Sequence, residues 1–418
     1  LGYDDIVTCH MNEGHSGLLS LFLYQEEQER APNVSPDELL QRVRERCVFT
    51  THTPVPAGHD SFPRDLVASV LSPEHMSILS ERDCLLDGQL NMTYLGLHCS
   101  RYINGVSMRH ELVTEQMYPN YVVDSVTNGV HAVTWTSPPF QALYDQHIPE
   151  WRQDNRYLRY AIGIEHQQIM AAHLEAKSAL MKEIKVRTGF ELDPKILTIV
   201  FARRATTYKR ADMLLSDLEA LRGIAKDVGP LQIIYAGKAH PKDEGGKELI
   251  RRIFQLADQI RGEIPIVYIP DYGMRIASHL VAGADVWLNT PHKPREASGT
   301  SGMKAALNGV PSFSVLDGWW IEGHVEGVTG WAIGDGWRDE SDSGMEAKSL
   351  YETLRTAVVP MFYDRPDDYA RLMRYAIALN GSFFNSQRML SQYVHNAYQI
   401  ETPLHDMPLH QQPLPSAR

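Results

Sequence analysis

The stretch "ILTIVFARRATTYKRAD" (196–212) joins a short apolar, β-branched run to four cations within eight residues. The run reads as a buried strand, and a helix-period segment follows from Arg210 to about Lys226. The same unit recurs downstream. "LQIIYAG" (231–237) is a strand followed by a helix from about Gly246 to Arg261. "IPIVYIP" (264–270) is followed by a helix near Ile276 to Ala284, and "VWLN" (286–289) by a helix within "EASGTSGMKAALNG" (296–309). "PSFSV" (311–315) is the next strand. Strands alternating with helices at this spacing make βαβ units and a mostly parallel sheet. Ligands of such sheets bind beyond the carboxyl ends of the strands, where Arg203 and Arg204 stand.

Toward the N-terminus, "DIVTCH", a helix from about Ser16 and "CVFTTHT" (47–53) read as the back half of another α/β unit. A long helix-period stretch, "NMTYLGLHCSRYINGVS" (91–107), closes it. Residues 110–195 are largely helical, and helices from about Ala347 to Tyr398 close the second domain. The expected architecture is α/β: two Rossmann-like domains facing one cleft, the first incomplete because Leu1 stands in mid-pattern. The boundaries fall at 1–104 and 105–401, with a Pro/Gln-rich tail, 402–418, expected to be disordered.

At 418 residues the chain exceeds one compact core, and no apolar run is long enough to span a bilayer. The net charge of −12 argues against a nucleic acid or an anionic membrane as partner. Cys9, Cys47, Cys84 and Cys99 lack paired metal-ligand spacing and read as free thiols of a cytoplasmic protein. "CHMNEGH" (9–15) has no second cluster, so no metal is assigned.

Two stretches carry chemistry. Arg203, Arg204, Lys209 and Arg210 follow a strand and precede a helix, a setting suited to a phosphate dianion; a solvated basic turn is the alternative. Ser298, Gly299, Thr300 and Ser301 bring small residues and backbone N–H groups to a helix entry, an anion nest unless Thr300 simply caps the helix. Lys304 lies one turn in, and Glu296 stands before the nest, able to accept hydrogen bonds from sugar hydroxyls. The spacing also resembles that of retaining sugar transferases with two Rossmann-like domains, except that Lys304 replaces their second acid.

"EASGTSGMKAALNG" closely resembles the pyridoxal-phosphate segment of the α-glucan phosphorylases, which act on glycogen, starch and maltodextrin. "NEGH" (12–15), "TTHTPVPAGHD" (50–60), "INGVSMRH" (103–110), "TNGVH" (127–131), "RRATTYKR" (203–210), "YAGKAHP" (235–241) and "LDGWW" (316–320) follow in the family's order. The resemblance extends to about residue 400 and is nearer the short prokaryotic branch. It implies the GT-B glycosyltransferase architecture and pyridoxal 5′-phosphate anchored on Lys304. The reaction implied is reversible, retaining phosphorolysis of an α-1,4-glucan at its non-reducing end by orthophosphate, giving glucose 1-phosphate.

By the same resemblance Arg203, Thr300, Ser301 and Tyr272 hold the cofactor, and Arg204 and Lys209 hold the substrate phosphate. The backbone carbonyl of His52 lies by the anomeric carbon. Asn104, Glu296, Ser298, Gly299 and Tyr208 contact the glucose, and His15 supports the glucan. A homodimer is the assembly common in the family. Read without the family, His52 is a strand-end histidine, Asn104-Gly105 a helix C-terminal turn, and Tyr208 and Tyr272 core aromatics. Trp319-Trp320 reads as buried packing rather than a sugar platform.

The chain departs from the family pattern in places. "RRATTYKR" keeps the cations but not the usual His-Glu pair; Gly302 replaces a common Asn and Gly273 a common Arg. The family's cofactor-covering loop and gating loop lie upstream of anything matching Leu1. A polypeptide of these residues alone is therefore expected to have an open cofactor site and weak or no turnover. The competing readings are a nucleotide-sugar-dependent glucan synthase, which Lys304 argues against, and a non-catalytic glucan-binding remnant.

Overall fold

Strands β1 (Cys9–Asn12), β2 (Cys47–Thr50) and β3 (Tyr102–Gly105) pair parallel in that order, with Cys9 opposite Cys47 and Thr50 opposite Asn104. The computed structural model to which they belong describes residues 6–81, 84–336 and 340–399; the expected tail, 402–418, lies outside them. The chain divides into two units. The first holds the residues up to Thr51, His59–Asn104 and the stretch from Met389; the second holds His52–Gly58 and Gly105–Arg388.

In the first unit, Ser35 caps the helix Pro36–Arg46 by accepting the Glu38 N–H, and proline occupies the first turn, where no donor is needed. The long helix expected over 91–107 is shorter. Asn91 caps it, it runs only Met92–His98, and "YING" is strand β3. The helical segment buries Met92, Leu95 and Leu97, and Gly96 is required because a methyl there would lie 2.2 Å from the Phe49 ring. A short, fully buried strand is as continuously apolar as a buried helix, so periodicity merged the two.

The second unit is built on a six-stranded parallel sheet. Its strands are β4 (Leu197–Ala202), β5 (Leu231–Ala236), β6 (Ile266–Ile269), β7 (Val286–Asn289), β8 (Ser312–Val315) and β9 (Gly330–Ile333). Their order across the sheet is β6-β5-β4-β7-β8-β9. Strand β9 was not anticipated: "GWAI" is four residues opening on a glycine, with no periodicity to mark it. Gly330 sits at φ +152°, and a methyl there would lie 2.0 Å from the Ser312 carbonyl oxygen.

The chain goes from β4 outward through β5 and β6, then returns to the other side of β4 at β7. That reversal leaves a crevice beyond the carboxyl ends of β4 and β7, the place where open parallel sheets bind ligands. Core packing on both faces holds the sheet; Trp287, Phe313, Ile199 and Ile233 are each fully buried.

The helix expected from Arg210 begins later. Residues Thr207–Lys209 form one 3-10 turn, Met213–Leu215 another, and the helix proper is Leu218–Asp227, capped by Asp217. Arg210 is left-handed at φ +45°. Its guanidinium donates to the Thr290 and Pro291 carbonyls at 2.9 and 2.6 Å and pairs with Glu346. Arg210 thus ties the loop after β4 to the loop after β7 and does not stand at a helix N-terminus.

Candidate functional site

Beyond β4 and β7 lies a cleft of about 330 Å³ within the second unit. His52, Arg203, Arg204, Lys209, Tyr272, Glu296, Ser298, Gly299, Thr300 and Ser301 all line it, together with Val106, Asn128, Ala202 and Ala297. The loop after β4 and the loop after β7 therefore meet at one place.

Arg203 continues the strand edge, its N–H donating to the Ala236 carbonyl at 3.0 Å. Gly237 in "YAGKAHP" permits this approach: a methyl there would lie 1.9 Å from the Arg203 carbonyl oxygen. Arg203 and Lys209 are buried, whereas Arg204 is exposed on the cleft. Glu296 bridges the two buried cations, its Oε2 2.6 Å from Arg203 Nη1 and 3.4 Å from Lys209 Nζ.

The electrostatics follow from this trio. Burial would raise the Glu296 carboxyl, but Arg203 and Lys209 together outweigh it and hold it below the ordinary value. Burial pushes Lys209 down to about 7, Arg203 pushes the same way, and Glu296 offsets only part. For Arg203, burial works against the charge and the Glu296 carboxylate more than restores it. The cleft therefore holds two permanent cations, the buried Arg203 and the exposed Arg204, with one ammonium poised to titrate and one carboxylate shared between Arg203 and that ammonium.

Tyr208 is half-buried, with Lys209 Nζ 5.0 Å from its ring centroid. Burial, aided by repulsion from Glu296, pushes its hydroxyl up to about 12. Ser298 is buried, and its hydroxyl has no partner among the described residues. An unsatisfied buried hydroxyl in a polar cleft is suited to a ligand's hydroxyl or anionic oxygen.

The helix Thr300–Ala306 starts after Gly299, which is left-handed at φ +85° and is itself the N-cap; Thr300 is the first helical residue and does not cap. Ser301 accepts the Trp287 indole N–H at 3.1 Å. Lys304, one turn on, is half-buried and is not among the residues lining the cleft. Its Nζ lies 3.9 Å from the ring centroid of Trp135. Burial lowers its pKa.

Two sequence candidates belong to the first unit. Asn104 ends strand β3 rather than a helix; it is fully buried, accepting from the Thr50 hydroxyl at 2.8 Å and lying 3.1 Å from the Tyr393 hydroxyl. His15 is exposed at the start of a 3-10 turn and borders a separate apolar pocket with Phe62 and Leu66.

Several residues that serve the site carried no local signal. Trp135 faces the Lys304 ammonium. Arg388 is buried and donates to the Thr127 and Asn128 carbonyls at 2.6 and 3.0 Å, holding a segment of the cleft wall. Asp317, in "LDGWW", accepts the Glu296 N–H at 2.9 Å. Trp319 and Trp320, 2% and 1% exposed, are packing residues and offer no sugar platform. Among the described residues no cluster of His, Cys, Asp or Glu could hold a metal ion, and no helix is long and apolar enough to cross a membrane.

A parallel α/β sheet with a cation-lined crevice at its switch point, entered by a glycine-capped helix bearing a lysine, defines a class of α/β proteins suited to holding an anion. Comparison with known proteins narrows the class. The carbohydrate phosphorylase family profile matches residues 73–329, and the chain belongs to that family. It is 38% identical to maltodextrin phosphorylase of Thermococcus litoralis over 95% of the chain. It is 36% identical to glycogen phosphorylase of Mycobacterium tuberculosis and 34% identical to that of Aquifex aeolicus, each over 93% of the chain. The chain spans 51%, 50% and 62% of these relatives respectively, about half the length of the first two.

Proposed function

We propose that this chain forms the cofactor- and phosphate-handling part of an α-glucan phosphorylase. The reaction is reversible, retaining phosphorolysis of the non-reducing end of an α-1,4-glucan by orthophosphate, giving glucose 1-phosphate. The observation that carries this reading is the buried Arg203–Glu296–Lys209 trio lining the same cleft as Ser298, Gly299, Thr300 and Ser301.

Pyridoxal 5′-phosphate fits the residues present. Lys304 has a half-buried amino group against an aromatic face, its pKa lowered by burial, so the neutral, nucleophilic form is within reach. Arg203, Thr300, Ser301 and Tyr272 would hold the cofactor with it. When bound, the cofactor supplies a phosphate that relays a proton to and from orthophosphate.

The remaining chemistry belongs to the chain. Arg204 and Lys209 attract orthophosphate, Arg204 through its fork and Lys209 as a point charge. A dianion beside Lys209 favours its protonated form, so binding draws a proton onto Nζ. Glu296, the Ser298 hydroxyl, the Gly299 backbone and Tyr208 orient the glucose. The His52 carbonyl dipole stabilises positive charge developing at the anomeric carbon. Asn104 and His15, in the first unit, serve the glucan. We propose the two units as the two Rossmann-like domains of a GT-B architecture, the first (up to Thr51, His59–Asn104 and from Met389) serving the glucan and the second (His52–Gly58 and Gly105–Arg388) binding cofactor and phosphate.

Borohydride reduction after incubation with pyridoxal phosphate, followed by peptide mass mapping, tests the cofactor site. A stable pyridoxyl adduct on Lys304 is expected, absent in Lys304→Ala. A folded chain left unmodified at Lys304 would overturn the assignment. Release of glucose 1-phosphate from maltodextrin and orthophosphate is the expected activity, weak or absent in a polypeptide of these residues alone; turnover of a nucleoside-diphosphate glucose without pyridoxal phosphate would replace it.

A further inference from the structure

The turn Asp317–Trp320 lies against the loop that carries Glu296, and three successive backbone groups of that loop are bonded. Glu296 donates its N–H to Asp317 Oδ2 at 2.9 Å. The Ala297 carbonyl accepts the Ser107 hydroxyl at 2.6 Å, and the Ser298 carbonyl accepts the Trp319 N–H at 2.8 Å. Gly318, at φ +55°, makes the approach possible: a methyl there would lie 2.5 Å from the Ser298 carbonyl oxygen and 2.9 Å from that of Glu296.

Asp317 Oδ1 takes the Gly318 N–H at 2.9 Å, so one carboxylate closes the turn and holds the loop. Only a carboxylate presents two acceptor oxygens and no donor to two N–H groups; an asparagine would turn one donor against another. The group is 2% exposed, and burial pushes its pKa up to about 7 despite the two N–H bonds and Arg109, with Glu296 repelling it. Such a site is costly for a carboxyl, and its bonds go to the Glu296 N–H and to the Gly318 N–H of its own turn.

We infer that Asp317 is a positioning residue of the anion site. By fixing the backbone of Glu296 it sets the Glu296 carboxylate between Arg203 and Lys209, and so sets how much positive charge the cleft presents to an anion. The identity of that anion as orthophosphate rests on the proposed function; the positioning does not.

Lys209 reports where the Glu296 carboxylate is. It is faced by Arg203, Arg204, Glu296 and the Tyr208 ring. Its titration in the unliganded full chain can be read by competitive reductive methylation with peptide mass spectrometry. In Glu296→Gln, Lys209 loses a carboxylate 3.4 Å away, and its apparent pKa should fall by about one unit. In Asp317→Ala the freed loop lets the carboxylate drift, and Lys209 should fall by about half of that or more. Asp317→Asn keeps one acceptor and should shift Lys209 less, in the same direction. Lys304, half-buried elsewhere, should titrate unchanged in all three, which separates positioning from general loosening.

A folded Asp317→Ala, or a folded Asp317→Asn if alanine does not fold, with Lys209 titrating as in the wild type would overturn the inference. So would an unmoved Lys209 in Glu296→Gln, since no carboxylate would then be there to position. No ligand enters this experiment, so failure of the wild-type chain to bind orthophosphate would remove the proposed function and leave the role of Asp317 standing.

Discussion

Replacing Glu296 by glutamine removes the carboxylate that Arg203 and Lys209 share, with side chains only 10%, 7% and 10% exposed respectively. Removing one partner of a buried ion pair costs about 3–5 kcal/mol, because the other charge is left uncompensated. Arg203 cannot escape by losing its proton. Lys209 can, since its pKa is already pushed down to about 7. The cost near neutral pH should therefore lie toward the lower end, about 3 kcal/mol.

The pH dependence has a definite sign. The folded-state pKa of Glu296 is lowered from 4.5, so its contribution is present above that value and lost as pH falls through the folded pKa. The gap between wild type and Glu296→Gln should thus close in acid. On the other side, Lys209 titrates at 10.5 when unfolded and near 7 when folded. The cost of its buried charge is full below pH 7 and is relieved as pH rises toward 10.5, earlier in the variant.

Urea unfolding followed by tryptophan fluorescence gives the stability, with buried Trp319 and Trp320 reporting beside the loop. Sulfate, which does not titrate near neutrality, gives anion affinity by calorimetry. The variant should be less stable yet bind sulfate about tenfold more tightly, because the repelling carboxylate has gone. A stability change under about 0.5 kcal/mol, the size of an ordinary surface substitution, or weaker sulfate binding would refute this account of the trio.

Sulfate binding to the wild type at mildly alkaline pH should take up close to one proton, since Lys209 is mostly neutral there and must charge. Calorimetry in buffers of different ionisation enthalpy measures this, and Lys209→Met should abolish the uptake. Gly299→Ala should destabilise the chain by about 1–2 kcal/mol, because an L side chain is strained in the left-handed region. Gly299 lies at φ +85°, and the added methyl would also stand 3.4 Å from Trp319 Cδ1 and 3.6 Å from Arg203 Nη2. A lowered urea midpoint is the check.

Much of the site was legible because its parts are local. Arg203 and Lys209 follow one strand and Glu296 to Ser301 follow another, and parallel topology brings strand ends together whatever lies between. What misled the reading was also local. Arg210 continued a run of cations, yet its partners are 80, 81 and 136 residues away. Asn104 looked like the end of a helix because the apolar stretch before it hides the change from Met92–His98 to strand β3.

The sequence by itself determined the alternation of strands and helices, the basic stretch after β4 and the glycine that opens the Lys304 helix. Each depends on residues a few positions apart, where periodicity and backbone preference act. Only the tertiary structure decided that Glu296 bridges the two buried cations, that Trp135 faces Lys304 and that Asp317 holds the Glu296 backbone. Burial and charge pairing depend on which groups share a volume, and separation along the chain does not encode that.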